Sequence, residues 1–140
     1  MASLLPFNTD VMATRSALRG TRVLLVEDAK DIRDVFTLLL EAEGAEVTAT
    51  GSGGEAAELS AQGDFDVLLT DLGLPDIPGD AVIRQVLTTA RRRPWVVVVT
   101  GYEEPFISLA RTAGADVVLT KPIAWSTLLK RLVPATSLAA

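Results

Sequence analysis

Five polar residues are spaced to do chemistry together: Glu27 and Asp28, then Asp71, Thr100 and Lys121. Each follows a short apolar run: Arg22-Val23-Leu24-Leu25-Val26, Val67-Leu68-Leu69-Thr70, Trp95 to Val99, and Val117-Val118-Leu119-Thr120. Two carboxylates about 4 Å apart repel by on the order of 4 kcal/mol at an effective dielectric near 20, so a cluster of three demands a cation, a shared proton or a lysine. The chain has no histidine and no cysteine, so a metal held here is held by oxygen. That selects a hard ion, Mg²⁺ first, with Mn²⁺ or Ca²⁺ behind it. Lys121 offers a second positive charge. A dication, an ammonium and a hydroxyl facing one point form a receptacle for a phosphoryl group, whose equatorial oxygens need such a clamp. Asp71, alone at its strand tip, is then placed as the nucleophile that forms an aspartyl phosphate. The plainer reading, that an acid after a strand caps the next helix, serves for any one of these residues but not for all five.

The elements that must position them follow from hydrophobic pattern. The Asp71 run reads as a strand buried on both faces and stopped by Gly73 and Pro75. Ala45 to Ala49 is a weaker strand, so five strands alternate with helices. The helical stripes are Ile32, Val35, Phe36, Leu39 and Leu40, then a short helix at Glu55–Ala61, then Ile83, Val86, Leu87 and Ala90. Pro105 opens a fourth helix with Phe106, Leu109, Ala110 and Ala113 as its inner face. Trp125, Leu128, Leu129 and Leu132 mark the last, with Lys130 and Arg131 where the helix dipole favours cations. Gly44 and Gly114 are expected to close the first and fourth helices. Short strands with helical crossovers predict a parallel sheet covered on both faces, with ligands at the carboxyl edge.

The bulk properties exclude more than they assign. At 140 residues, 49% apolar and 22% charged, one globular domain is expected. Without cysteine or histidine, neither a disulfide framework nor a Ser-His-Asp or Cys-His triad can be built. A net charge of −5 argues against direct nucleic-acid binding, and Arg91-Arg92-Arg93 reads as a solvated loop after a helix. No apolar run approaches the ~20 residues of a membrane span, and no signal-peptide pattern opens the chain, so a cytoplasmic location is expected. Gly51-Ser52-Gly53-Gly54 lacks the full dinucleotide fingerprint and is read as an ordinary loop. Residues 1–20 are expected to form an N-terminal arm or linker with a short helix at Val11–Arg19 closed by Gly20. Residues 21–134 form the domain, and 135–140 a tail.

From Arg22 to Leu132 the chain resembles the receiver domain of two-component response regulators. Four segments carry the resemblance: Val-Leu-Leu-Val-Glu-Asp at 23–28, Leu-Leu-Thr-Asp-Leu-Gly-Leu-Pro-Asp-Ile-Pro-Gly at 68–79, Val-Val-Val-Thr-Gly at 97–101, and Gly-Ala-Asp-Val-Val-Leu-Thr-Lys-Pro at 114–122. Each is modest alone, and the four in order are specific. The resemblance implies a flavodoxin-like (βα)5 fold with strand order 2-1-3-4-5. It implies that Asp71 accepts a phosphoryl group from a histidine kinase or histidine phosphotransfer protein. Asp28, Asp71 and the backbone carbonyl of Gly73 would ligate Mg²⁺ (or Mn²⁺), with Glu27 acting through water. Thr100 would hydrogen-bond the phosphoryl group, Lys121 would pair with it, and the Lys121–Pro122 bond would be cis. The protein would then be a signalling switch rather than an enzyme, with self-phosphorylation and autodephosphorylation at most, working as a monomer or weak homodimer.

Two positions depart from the family pattern. Receivers usually carry Tyr or Phe three residues before the lysine, where this chain has Val118, so the usual coupling of threonine to an aromatic at that place is not expected. Tyr102 lies near the rim of the site, where gating the phosphoryl group competes with simple half-exposed packing. Gly73 stands where many members have a longer side chain, which leaves the phosphoryl group open to water. Two rival functions are weaker. A haloacid-dehalogenase-like phosphohydrolase would need a second Asp at position 73, and a binding-only receiver fold would not need the complete site. The Thr-Gly-Tyr and Asp-Leu-Gly-Leu-Pro segments look more like receivers of hybrid histidine kinases than like those of transcription factors. The chain is thus expected to be either a stand-alone receiver or a piece of a larger protein.

Overall fold

The computed structural model describes residues 17–133. The helix expected at Val11–Arg19 and the tail at 135–140 lie outside the described residues or at their margin. Among the described residues five strands alternate with five helices: β1 (Arg22–Val26), α1 (Lys30–Ala42), β2 (Glu46–Thr50), α2 (Gly53–Gln62), β3 (Val67–Thr70), α3 (Gly79–Thr89), β4 (Trp95–Thr100), α4 (Phe106–Ala113), β5 (Val117–Thr120) and α5 (Trp125–Leu132). All strand pairs are parallel, in the order β2-β1-β3-β4-β5. This is the expected doubly wound sheet.

Strand periodicity divides the apolar residues between two cores. Val23, Leu25, Val67, Leu69, Val97 and Val99 face one side, where Leu40 of α1 and Leu128 and Leu132 of α5 cover them. Leu24, Val26, Leu68, Val96 and Val98 face the other, under Ala56 of α2, Val82, Ile83 and Val86 of α3, and Ala110 of α4. Both faces of β1, β3 and β4 are therefore buried, which is why these strands read as continuous Val/Leu runs. Leu18, fully buried, joins the first core, and its amide donates to the Glu43 carbonyl at 2.9 Å. Gly44 (φ 94) and Gly114 (φ 124) take left-handed backbone where α1 and α4 end, as expected.

Two helical faces differ from expectation. In α1 only Leu40 is fully buried, whereas Ile32 and Val35 of the expected stripe are 42% and 54% exposed, as is Leu38 outside it at 68%. The helix meets the core through Phe36 and Leu40, and its first turns stand beside the carboxyl edge, beyond the packed layer. In α4 the expected inner face holds only for Ala110 and, in part, Ala113, while Phe106 and Leu109 are 47% and 40% exposed. The small alanines let the helix lie close to the sheet, and that turns the large side chains outward. An apolar stripe wider than one contact does not say which of its edges packs.

Candidate functional site

The sheet's own hydrogen bonding places the site residues. Glu27 N–H donates to the Thr50 carbonyl (3.0 Å), Asp71 N–H to Val26 (3.2 Å) and Lys121 N–H to Thr100 (2.8 Å). Each functional residue thus takes the last bond of its ladder from the end of the neighbouring strand. Its backbone is fixed by the sheet while its side chain projects past the edge. The Thr70 hydroxyl adds a bond to the Asp71 carbonyl at 2.8 Å.

Lys121 joins the acids. Its Nζ lies 2.9 Å from Asp71 Oδ2 and 3.7 Å from Glu27 Oε1. Asp71 Oδ1 accepts from the amides of Leu72 (2.6 Å) and Gly73 (3.3 Å). Glu27 is 4% exposed, and its Oε2 accepts from Ala29 N–H at 3.1 Å. Burial, the largest influence, holds the Glu27 pKa above the ordinary carboxylate value; the Ala29 amide opposes it and neighbouring Asp28 adds to it. Burial also disfavours charge on Lys121, but the hydrogen bond and ion pair with Asp71 outweigh it and raise the lysine's pKa. Asp28 sits exposed beside Glu27. The structure therefore brings Glu27, Asp28, Asp71 and Lys121 together.

Thr100 is fully buried at the end of β4, and its Oγ1 accepts the amide N–H of Tyr102 at 3.0 Å. Its own hydroxyl proton remains to be donated. Val118 is half-buried and packs on the second core, so no ring stands at the position three residues before Lys121. The Lys121–Pro122 bond is cis, as expected.

Two contributors escaped the sequence reading. Asp76, in the loop after β3, accepts from Gly53 N–H (3.0 Å), Gly54 N–H (2.9 Å) and the Ser52 hydroxyl (3.1 Å). The amides, Gly54 first, push its pKa down to about 2. The Gly51–Gly54 loop is therefore no phosphate cradle, because the anion at the α2 N-terminus is the protein's own carboxylate. A glycine pair opening a helix without an acidic cap nearby in sequence was the available signal. Arg33 Nη1 donates to the Glu27 carbonyl at 2.7 Å and to that of Asp28 at 3.3 Å, steadying the acid-bearing loop; nothing in the sequence marked it.

A model of the response regulator receiver domain matches residues 23–133. The chain belongs to the response regulator receiver family. Among curated relatives of this receiver, the response regulator SaeR of Staphylococcus epidermidis RP62A is 31% identical over 73% of the chain and 44% of its own length. SaeR of Staphylococcus aureus USA300 is 30% identical over 80% of the chain and 49% of its own. The receiver spans about half the length of the curated relatives it matches. Among solved structures, a CheY-like receiver domain protein from Methanospirillum hungatei JF-1 superposes with a TM-score of 0.79 at 27% identity, covering 86% of this chain and 98% of that one. The receiver domain of the sensor histidine kinase PA1611 of Pseudomonas aeruginosa PAO1, with magnesium coordinated in its active-site cleft, gives 0.72 at 25% identity over 82% and 98%. This receiver has the phosphoacceptor fold of two-component signalling, a signalling domain of the (βα)5 type.

The donor set suits Mg²⁺. Three carboxylates against one ammonium leave two negative charges uncompensated, and every donor is oxygen. Among the described residues no three acids are placed to cage an ion as they stand. Mg²⁺ does not need a cage, since it keeps several waters and takes one or two carboxylates.

Proposed function

We propose that this receiver accepts a phosphoryl group on Asp71 from the phosphohistidine of a histidine kinase or histidine phosphotransfer protein. The observation that carries the reading is the Lys121 ammonium held between Asp71 and Glu27 at the edge where four strands end. An Asp71 carboxylate oxygen attacks phosphorus, the P–N bond breaks, and the imidazole leaves with the electron pair. Asp28, Asp71 and the Gly73 carbonyl would hold Mg²⁺ (or Mn²⁺), with Glu27 acting through water. The ion, when bound, would neutralise the charge that builds on the phosphoryl oxygens. Lys121 pairs with that group and Thr100 donates its hydroxyl proton to it. The added charge shifts the loops after β3 and β4 between two arrangements. Loss of the phosphoryl group to water resets the switch, and the domain turns over no other substrate.

The donor must approach over the carboxyl edge. There α1 begins, two residues after Asp28, with Ile32, Val35 and Leu38 exposed. That stripe is the surface we assign to the partner's helices. Nucleic acid is not a partner of this domain: Arg91, Arg92 and Arg93 each pair with an acid, respectively Asp64, Asp66 and Asp116. No helix among the described residues is long and apolar enough to cross a membrane. The domain works in the cytoplasm, as a monomer or weak homodimer.

The test is intact mass after incubation with acetyl phosphate, with and without Mg²⁺, beside Asp71→Asn. A single Mg²⁺-dependent phosphoryl adduct, absent from the variant, is expected. No adduct together with no binding of beryllofluoride would leave a receiver fold that only binds, and would overturn the reading.

A further inference from the structure

Tyr102 stands beside Gly73, in the space where many receivers carry a longer side chain. A Cβ built on Gly73 would meet the Tyr102 Oη at 3.0 Å and its Cζ at 3.3 Å. The phenol therefore lies against the glycine's α-carbon, in the space a side chain at position 73 would fill. Gly73 is itself bonded to Asp71 through its amide, so the phenol rests two residues from the phosphoacceptor. The other end of Tyr102 is tied to the site as well, because its N–H is held by the Thr100 hydroxyl at 3.0 Å. Its ring meets Phe106, the first residue of α4, edge-on at 5.1 Å between centroids and 61° between planes. Tyr102 and Phe106 are about half exposed, and with Leu72, Leu74, Ile77 and Leu109 they line an open cleft of about 520 Å³.

We infer that Tyr102 is the switch aromatic of this receiver. It reads the state of Asp71 through Thr100 and Gly73 and passes it to the cleft between the β3–α3 loop and α4. Val118, with no ring and packed in the core, cannot do this. When the Thr100 hydroxyl turns to the phosphoryl group, the Tyr102 amide bonded to it must follow or let go. Either movement lifts the phenol from the space beside Gly73. Because the ring is a wall of the cleft, its departure changes the surface offered there, and the exposed faces of Phe106 and Leu109 change with it. Tyr102 is a positioning residue: it acts through Thr100 and Gly73 and carries no bond-making role.

The inference rests on the phosphoacceptor reading, and one experiment separates the two. Tyr102 is the only tyrosine in the chain, so biosynthetic 3-fluorotyrosine yields a single ¹⁹F reporter on this ring. With Mg²⁺ and beryllofluoride, resonances of bound fluoride are expected together with a displaced fluorotyrosine resonance. Gly73→Ala, whose methyl pushes on the phenol, should displace the resting resonance in the same direction without beryllofluoride. Thr100→Ala should lose the beryllofluoride-dependent displacement. Bound fluoride with an unmoved tyrosine resonance, or a displacement that survives unchanged in Thr100→Ala, overturns the role of Tyr102 while the phosphoacceptor reading stands. Absence of bound fluoride overturns both.

Discussion

Lys121 should stabilise the resting domain, and the size of its effect follows from the geometry. Its ammonium lies 2.9 Å from one carboxylate and 3.7 Å from another. At an effective dielectric near 20 each pairing is worth roughly 5 kcal/mol of gross Coulomb energy. Most of that is offset by desolvation of the charges, and the lysine side chain is still 34% exposed, so solvent screening discounts it further. Lys121→Met should therefore cost about 2 kcal/mol net, chiefly because Glu27 and Asp71 are left facing each other. In urea, with Mg²⁺ chelated, this is a lower midpoint at an unchanged slope. Added Mg²⁺ should restore more stability to the variant than to the parent, since the ion supplies charge the lysine no longer does. Asp71→Asn in the Lys121→Met background should recover much of the loss by removing the repulsion. A Lys121→Met protein as stable as the parent without Mg²⁺ would refute the charge-balance account. So would a double variant no more stable than the single one.

Other outcomes follow from the loops. Asp76, with its pKa pushed down from 3.8 to about 2 by the Gly54 and Gly53 amides, contributes stability that is full above 3.8 and fades as pH falls through 2; a carboxyl-carbon NMR titration showing an ordinary value near 4 would contradict the cap. Gly79→Ala should destabilise the domain by about 3 kcal/mol in a denaturant melt, because its Cβ would fall 2.3 Å from the Leu72 Cα, a backbone atom that cannot yield without disturbing the loop next to Asp71. Gly73→Asn, whose side chain takes the space of the Tyr102 phenol, should slow loss of the aspartyl phosphate by about tenfold, equivalent to ~1.4 kcal/mol of barrier, by placing an amide beside the phosphoryl group; an unchanged decay measured by phosphate release would count against this shielding. Leu128→Ala, at a fully buried position, should cost about 2–5 kcal/mol, with Mg²⁺-dependent phosphorylation surviving in whatever fraction remains folded.

Where the sequence was legible, one periodicity carried all the information. Parallel strands buried on both faces must be continuous apolar runs, so β1, β3 and β4 announced themselves along with the residues that end them. Their ends were then the site, because ladders that stop at Val26, Thr70 and Thr120 leave Glu27, Asp71 and Lys121 at the carboxyl edge, and β4 itself ends on Thr100. The orientation of α1 and α4 was not legible. Phe106 and Ala110 lie on one stripe, and only packing distance decides that the alanine goes in. Asp76 was hidden for another reason: its partners, Gly53 and Gly54, lie more than twenty residues away, and nothing local says that a loop acid will cap a distant helix.

Tyr102 was legible as a residue at the rim of the site but not in its contacts, and that difference bears on how such a site stays adjustable. Glu27, Asp71 and Lys121 take their positions from backbone bonds shared with a neighbouring strand, so their geometry is set by sheet register and was readable from spacing. Tyr102 lies past the end of β4 and is held by one hydroxyl, one glycine surface and the edge of the Phe106 ring. Contacts of that kind arise between loops, leave no periodic trace, and are weak enough to change when a charge arrives. A residue that must move on phosphorylation cannot also be fixed by the ladder. Tyr102, whose contacts the spacing could not show, is therefore the part left free to switch.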